Sequence, residues 1–92
     1  MYLNIVIGRV TDKCDNNPIV GASVVIKNKP ITTITDFEGN YSISPVNTGD
    51  VIVVSAFGYY TKEIPVTVTF NGCPQNTPCT RILYVELECI KA

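Results

Sequence analysis

Histidine and tryptophan are absent from the 92-residue chain, and methionine occurs once. Without histidine the commonest general base and the commonest metal ligand are missing. No serine or cysteine has an obvious neighbouring base to activate it either, so catalysis is not expected and no catalytic residue is assigned. Charge is also scarce. Asp, Glu, Lys and Arg make up 16% of the residues, the net charge is −1, and the basic residues are scattered singly. Such a chain offers no positive field to a nucleic-acid backbone or an anionic membrane, and nucleic acid is not an expected partner. Long apolar runs are missing as well. The longest, Val51 to Phe57, is broken by Ser55 and stops at Gly58, whereas crossing a bilayer takes roughly 20 residues. The chain is therefore not expected to span a membrane as a helix. Its first residues, Met1-Tyr2-Leu3-Asn4-Ile5, show no basic segment followed by a sustained apolar stretch, so they carry no export signal.

What is present is a folding composition. Apolar residues reach 46%, which excludes a disordered or solvating tail. The length suits a single domain over residues 1–92, too small for a second core. A domain of this size buries only about 60 to 65% of the surface its unfolded chain exposes, so covalent staples are useful to it. Four cysteines, Cys14, Cys73, Cys79 and Cys89, form an even set of the kind found where disulfides persist. A zinc site is the rival use. It is disfavoured because no two cysteines stand at the usual two-residue spacing and no histidine can join them. Cys73 and Cys79 flank a short loop with two prolines, and closing it would remove freedom from the unfolded chain, so this pair is expected to be bonded.

The apolar pattern has period two almost everywhere. Val6, Gly8 and Val10 alternate with Ile5, Ile7 and Arg9, and Val24 and Ile26 alternate with Val25 and Lys27. Further runs rich in Val, Ile, Thr and Tyr lie at Ile31 to Thr35, Tyr41 to Ser44, Val51 to Ala56, Thr61 to Phe70 and Arg81 to Glu88. About seven strands result. Turn formers separate them: Asn16-Asn17-Pro18, Asn28-Lys29-Pro30, Glu38-Gly39-Asn40, Asn47-Thr48-Gly49-Asp50 and Asn71-Gly72. No stretch of ten or more residues has helical spacing free of breakers, so the expected class is all-β, with two stacked sheets preferred to a closed barrel. In the last predicted strand Leu83, Val85 and Leu87 share one face, and Tyr84, Glu86 and Glu88 the other.

Several residues invite a choice between architecture and function. In Asp36-Phe37-Glu38-Gly39-Asn40-Tyr41, Asp36 is suited to accept hydrogen bonds from backbone N–H groups ahead of it, and Gly39 to close the turn in the left-handed region. The rival is a calcium loop built on Asp36, Glu38 and Asn40, which supplies fewer oxygens than calcium takes. Pro18 and the Gly21-Ala22 pair read as a bend close to a neighbouring strand. Gly8 reads as a bulge, or as a place where an aromatic side chain crosses the backbone. Tyr59 and Tyr60 point to opposite faces, so at least one should reach solvent, where tyrosine can stack on sugars or proteins. Both are candidates for a binding surface.

Four blocks in order resemble a known family. Gly8-Arg9-Val10-Thr11-Asp12 comes first, then Pro18-Ile19-Val20-Gly21-Ala22-Ser23-Val24, then Thr35-Asp36-Phe37-Glu38-Gly39-Asn40-Tyr41-Ser42-Ile43, and last Ala56-Phe57-Gly58-Tyr59-Tyr60-Thr61. Together they resemble the carboxypeptidase regulatory-like domain, over Ile5 to Leu87. The resemblance implies a seven-stranded Greek-key β-sandwich of the transthyretin (prealbumin)-like type. It also implies a non-catalytic module without cofactor, of the kind that precedes the plug of TonB-dependent outer-membrane transporters or stands in envelope proteins. Its place would be the periplasm, the outer membrane or the cell surface. Its partners would be other domains of a larger envelope protein, separate proteins or a glycan. In that topology the first and last strands lie side by side and run the same way, which implies that Cys14 pairs with Cys89. The segment from Asn71 to Cys79 departs from the family pattern. A free-standing adhesion, carbohydrate- or protein-binding domain or stalk repeat is the alternative. A stalk crosslink would join Lys27 to an asparagine late in the chain, and the final strand has none.

Overall fold

The computed structural model describes residues 4–68, 70 and 79–90. Eight strands and no helix are found among them: β1 (Asn4–Asp12), β2 (Ser23–Ile26), β3 (Thr32–Ile34), β4 (Asn40–Ile43), β5 (Val51–Ser55), β6 (Lys62–Pro65), β7 (Cys79–Ile82) and β8 (Val85–Leu87). They form two sheets. One runs β4-β1-β7 with β8 also on β1, and the other runs β3-β2-β5-β6. The pairing of β1 with β7 and β8 is parallel, through Ile7 and Ile82 and through Val10 and Val85, while the remaining pairs are antiparallel.

Alternation decides what lies between the sheets. Val6 and Val10 of β1, Val24 and Ile26 of β2, Ile43 of β4, Ile52 and Val54 of β5, and Val85 and Leu87 of β8 are all buried, and all belong to one shared core with Ile19, Ala22, Tyr41, Val46 and Val66. Their neighbours in sequence face outward, as pleated backbone requires. Leu83 is partly buried against this core, while Tyr84, Glu86 and Glu88 are exposed.

The expected seventh strand, Arg81 to Glu88, is in fact two. Gly8 explains the break. Here β1 leaves its pairing with β7 and takes up pairing with β8, and the Leu83 carbonyl turns in beneath Gly8, where any Cβ would collide with it. The Tyr41 hydroxyl donates to that carbonyl at 2.6 Å, and the Leu83 N–H donates to the Ile7 carbonyl at 2.8 Å. A β-branched or even an alanine side chain at position 8 would block this arrangement. The Tyr41 hydroxyl would lie 3.1 Å from a Cβ at Gly8, so an aromatic side chain does reach across the backbone here. Strand β6 is also shorter than the expected run from Thr61 to Phe70 and ends at Pro65, which has no N–H for a ladder.

Candidate functional site

Asp12, Pro18, Gly21, Ala22, Asp36, Gly39, Gly58 and Tyr59 gather at one end of the sandwich, whereas Gly8 and Tyr41 face each other midway along the first sheet. Asp12 closes β1 and is buried despite its charge. Its Oδ1 accepts from the backbone N–H of Cys14 at 2.6 Å and of Asp15 at 3.3 Å, and its Oδ2 accepts from the Tyr59 hydroxyl at 2.5 Å. Buried charge is tolerated only when solvating donors replace water, and three donors do so here. The Tyr59 hydrogen bond, helped by the two backbone N–H groups against the effect of burial, holds the Asp12 carboxyl below the usual carboxylate range. The same hydrogen bond, with burial and the negative charges of Asp12 and Asp15, pushes the Tyr59 hydroxyl up to about 12. A proton held so firmly belongs to a structural tie rather than to an acid or base working near neutrality.

Beside this tie, Cys14 and Cys89 are joined in a disulfide with Cα atoms 6.3 Å apart. Parallel pairing of β1 with β8, which sets Asp12 opposite Leu87, brings the two positions together. Asp12, Cys14 and Cys89 are also a grouping of metal-ligand residue types among the described residues. The two sulfurs are bonded to each other and the carboxylate is occupied by three donors, so the cluster is a covalent and polar clasp rather than a thiolate donor set. Cys79 is itself half of a disulfide. Its expected partner, Cys73, lies outside the described residues, as do residues 71–78 as a whole.

The second turn at this end is built by Asp36. Its Oδ1 accepts from the N–H groups of Glu38 at 3.0 Å and Asn40 at 2.9 Å, and the Gly39 N–H returns to the Asp36 carbonyl at 2.9 Å. Gly39 has φ of 76°, and a Cβ there would lie 2.6 Å from the Val10 carbonyl oxygen, so two constraints select glycine. Asp36 Oδ1 thus braces the turn. Pro18 pairs with Thr11 in an isolated bridge, and Ala22 is fully buried. Gly21 has φ of 76°, and its N–H donates to the Thr35 carbonyl at 3.1 Å just past the end of β3; a Cβ there would meet nothing within 4 Å, so conformation rather than space selects glycine.

Thr35 was not singled out in the sequence, yet it joins the two loops. Its hydroxyl donates to the Ile19 carbonyl at 2.6 Å and accepts from the Ala22 N–H at 2.8 Å. A threonine at a strand end carries no sequence signal for such a role. The tyrosine pair splits. Tyr59 packs on the core and is tied to Asp12, which removes it from the candidate binding surface, whereas Tyr60 is exposed. The Gly58 carbonyl accepts from the Ile90 N–H, and the Tyr60 N–H donates to Glu88, so the chain after β8 is stitched to this loop. Lys27 points to Glu63 on the sheet surface at 2.9 Å and takes no part in the core. On the outer face of the first sheet, Ile7, Arg9, Asn40, Ile82, Tyr84 and Glu86 line a shallow depression of about 650 Å³.

Two sheets with a shared core, parallel pairing of the first strand with the last, and glycine-built corners define an all-β sandwich module. The chain belongs to the CarboxypepD_reg-like domain family, whose pattern matches residues 6–80. It is 48% identical over 54 residues to the TonB-dependent receptor SusC of Bacteroides thetaiotaomicron, covering 59% of this chain and 5% of the receptor. It is 42% identical over 52 residues to the TonB-dependent receptor P39 of Formosa agariphila, covering 56% of this chain and 5% of that receptor. The chain thus spans about one-twentieth of these curated relatives. In fold it resembles a chain of a type II cohesin–X-dockerin complex from Acetivibrio cellulolyticus, with TM-score 0.67, 22% identity, and coverage of 91% of this chain and 56% of that one. It also resembles a membrane-associated protein of unknown function from Bacteroides fragilis, with TM-score 0.63, 24% identity, and coverage of 97% and 28%.

Proposed function

We propose that this chain is a non-catalytic β-sandwich module of a bacterial envelope protein, linked to a TonB-dependent outer-membrane transporter or a surface protein and acting there as a spacer, docking or ligand-binding element. The similarity to a far longer TonB-dependent receptor carries the reading, since this chain matches only a small piece of it. The chemistry of the site agrees: its buried polar groups are tied to each other and to backbone, and Tyr59 keeps its proton to about 12. The TonB-dependent receptor relatives support a periplasmic, outer-membrane or surface location, which also suits the Cys14–Cys89 disulfide.

Fractionation of the source cells tests this. An antibody to the chain should detect a polypeptide many times its length in the outer-membrane fraction. A free protein of this size in the cytoplasm would refute it. A second reading, a carbohydrate- or protein-binding domain, draws on the outer-face depression, where exposed Tyr84 offers a stacking surface beside Arg9, Asn40 and Glu86. Titration with soluble oligosaccharides, with Tyr84→Ala and Tyr60→Ala as controls, separates that reading from the first.

A further inference from the structure

Nine large apolar side chains are exposed among the described residues, and six of them, Val20, Ile34, Phe37, Phe57, Tyr60 and Ile90, lie at one end of the sandwich. Strand registers fix that end. β1, β3, β5 and β8 finish there, at Asp12, Ile34, Ser55 and Leu87, while β2, β4 and β6 begin there, at Ser23, Asn40 and Lys62. The other three, Val68, Ile82 and Tyr84, are at the far end or on the outer face of the first sheet.

The two phenylalanines weigh most. Phe37 is 91% exposed and Phe57 is 104% exposed. Each rides on a braced turn. Phe37 follows Asp36, whose carboxylate is fixed to Glu38 and Asn40, and Phe57 lies within a turn closed by the Tyr59 N–H on the Ala56 carbonyl at 3.1 Å and pinned by Tyr59 to Asp12. Loops already rigid give up little freedom when they dock, which is the condition under which exposed aromatic rings become useful for binding.

Charge selects the occupant. The same end exposes Asp15, Asp36, Glu38 and Glu88, against Lys13, Lys62 and Arg9, the last 3.8 Å from Glu38. An anionic lipid surface would be repelled, and a second copy would set one acidic rim against another. An apolar protein surface rimmed by lysine or arginine is complementary. Size narrows the choice further. The chain spans about one-twentieth of its receptor relatives, so in a polypeptide of that kind most of the folded surface that could cover this end is tethered to it. A tethered partner docks on a smaller surface than a free one needs, because the tether raises its effective concentration.

The geometry points to this loop-bearing end as a docking surface for another folded domain of the same polypeptide, one that presents an apolar patch with a basic rim. The inference rests on the envelope-module reading and adds its contact surface. Hydrogen exchange tests it, on the isolated chain and on the full polypeptide encoded by its reading frame. The amides around Val20, Phe37 and Phe57 should exchange at least about tenfold more slowly in the full polypeptide. Phe37→Ser with Phe57→Ser should return them to the isolated-chain rates while the amides of β1, β2 and β5 stay protected. About 0.5 M salt should weaken the protection. Equal exchange in both forms, or protection that survives the double substitution, overturns the inference. So does binding of the isolated chain to phosphatidylglycerol vesicles, or its dimerisation, if either depends on the two phenylalanines. Unchanged exchange in a long outer-membrane polypeptide removes the docking surface alone. A reading frame with no further folded domain removes the module reading with it.

Discussion

Removing the Cys14–Cys89 disulfide by Cys14→Ser with Cys89→Ser should cost this domain a large part of its stability. The bond spans a sequence separation of 75, so it closes most of the chain into one loop. Loop-closure entropy gives about 3 kcal/mol for a 15-residue loop and about 4.7 kcal/mol for a 100-residue loop, which places this one at about 4.5 kcal/mol. The folded state adds little strain to offset this, because parallel pairing of β1 with β8 already brings Asp12 opposite Leu87 and hence the two cysteines together. Domains are stable by about 0.05 to 0.15 kcal/mol per residue, or roughly 5 to 14 kcal/mol for this length. The loss should therefore lower the melting temperature by roughly 18 to 36 °C. Urea unfolding with calorimetry is the assay, with the double variant used instead of a reductant so that the bridge at Cys79 is untouched. The m-value should rise, since the released unfolded chain expands. A loss below about 1 kcal/mol with an unchanged m-value would show that the unfolded state is not what the bond restrains.

Gly8→Ala should destabilise the fold by about 2 to 3 kcal/mol in urea unfolding, because the new methyl group must displace the Leu83 carbonyl. Tyr41→Phe should cost about 1 to 2 kcal/mol by leaving that carbonyl without its hydroxyl donor. Asp12 has a depressed pKa in the folded state, so its contribution is complete above about 4 and is lost as the pH falls through the folded value. Tyr59 has a raised one, so its contribution is complete below about 10 and is lost as the pH rises toward about 12. Melting temperature against pH should decline on both limbs, and Tyr59→Phe should flatten both; an unaltered profile would mean that the pair is not coupled. Tyr59→Ala should lower the melting temperature while Tyr60→Ala leaves it unchanged, because only Tyr59 is packed on the core.

The class of fold was legible because period-two burial is a local property of pleated chain. Val24 and Ile26, Ile52 and Val54, and Val85 and Leu87 declare their inward face without any partner being known. Turn chemistry was legible for the same reason, as Asp36 and Gly39 act within a few residues of each other. The sequence by itself thus determined the strands, the corners and the all-β class, since each is set by neighbours along the chain. Tertiary structure alone decided the rest. It split the last strand at Leu83, whose carbonyl answers to Tyr41 and Gly8 far away in sequence. It gave Thr35 its place between two loops, and it turned Tyr59 inward to Asp12 while leaving Tyr60, Phe37 and Phe57 in solvent. Those outcomes depend on contacts between residues tens of positions apart, and local pattern holds no record of which distant group a side chain will meet.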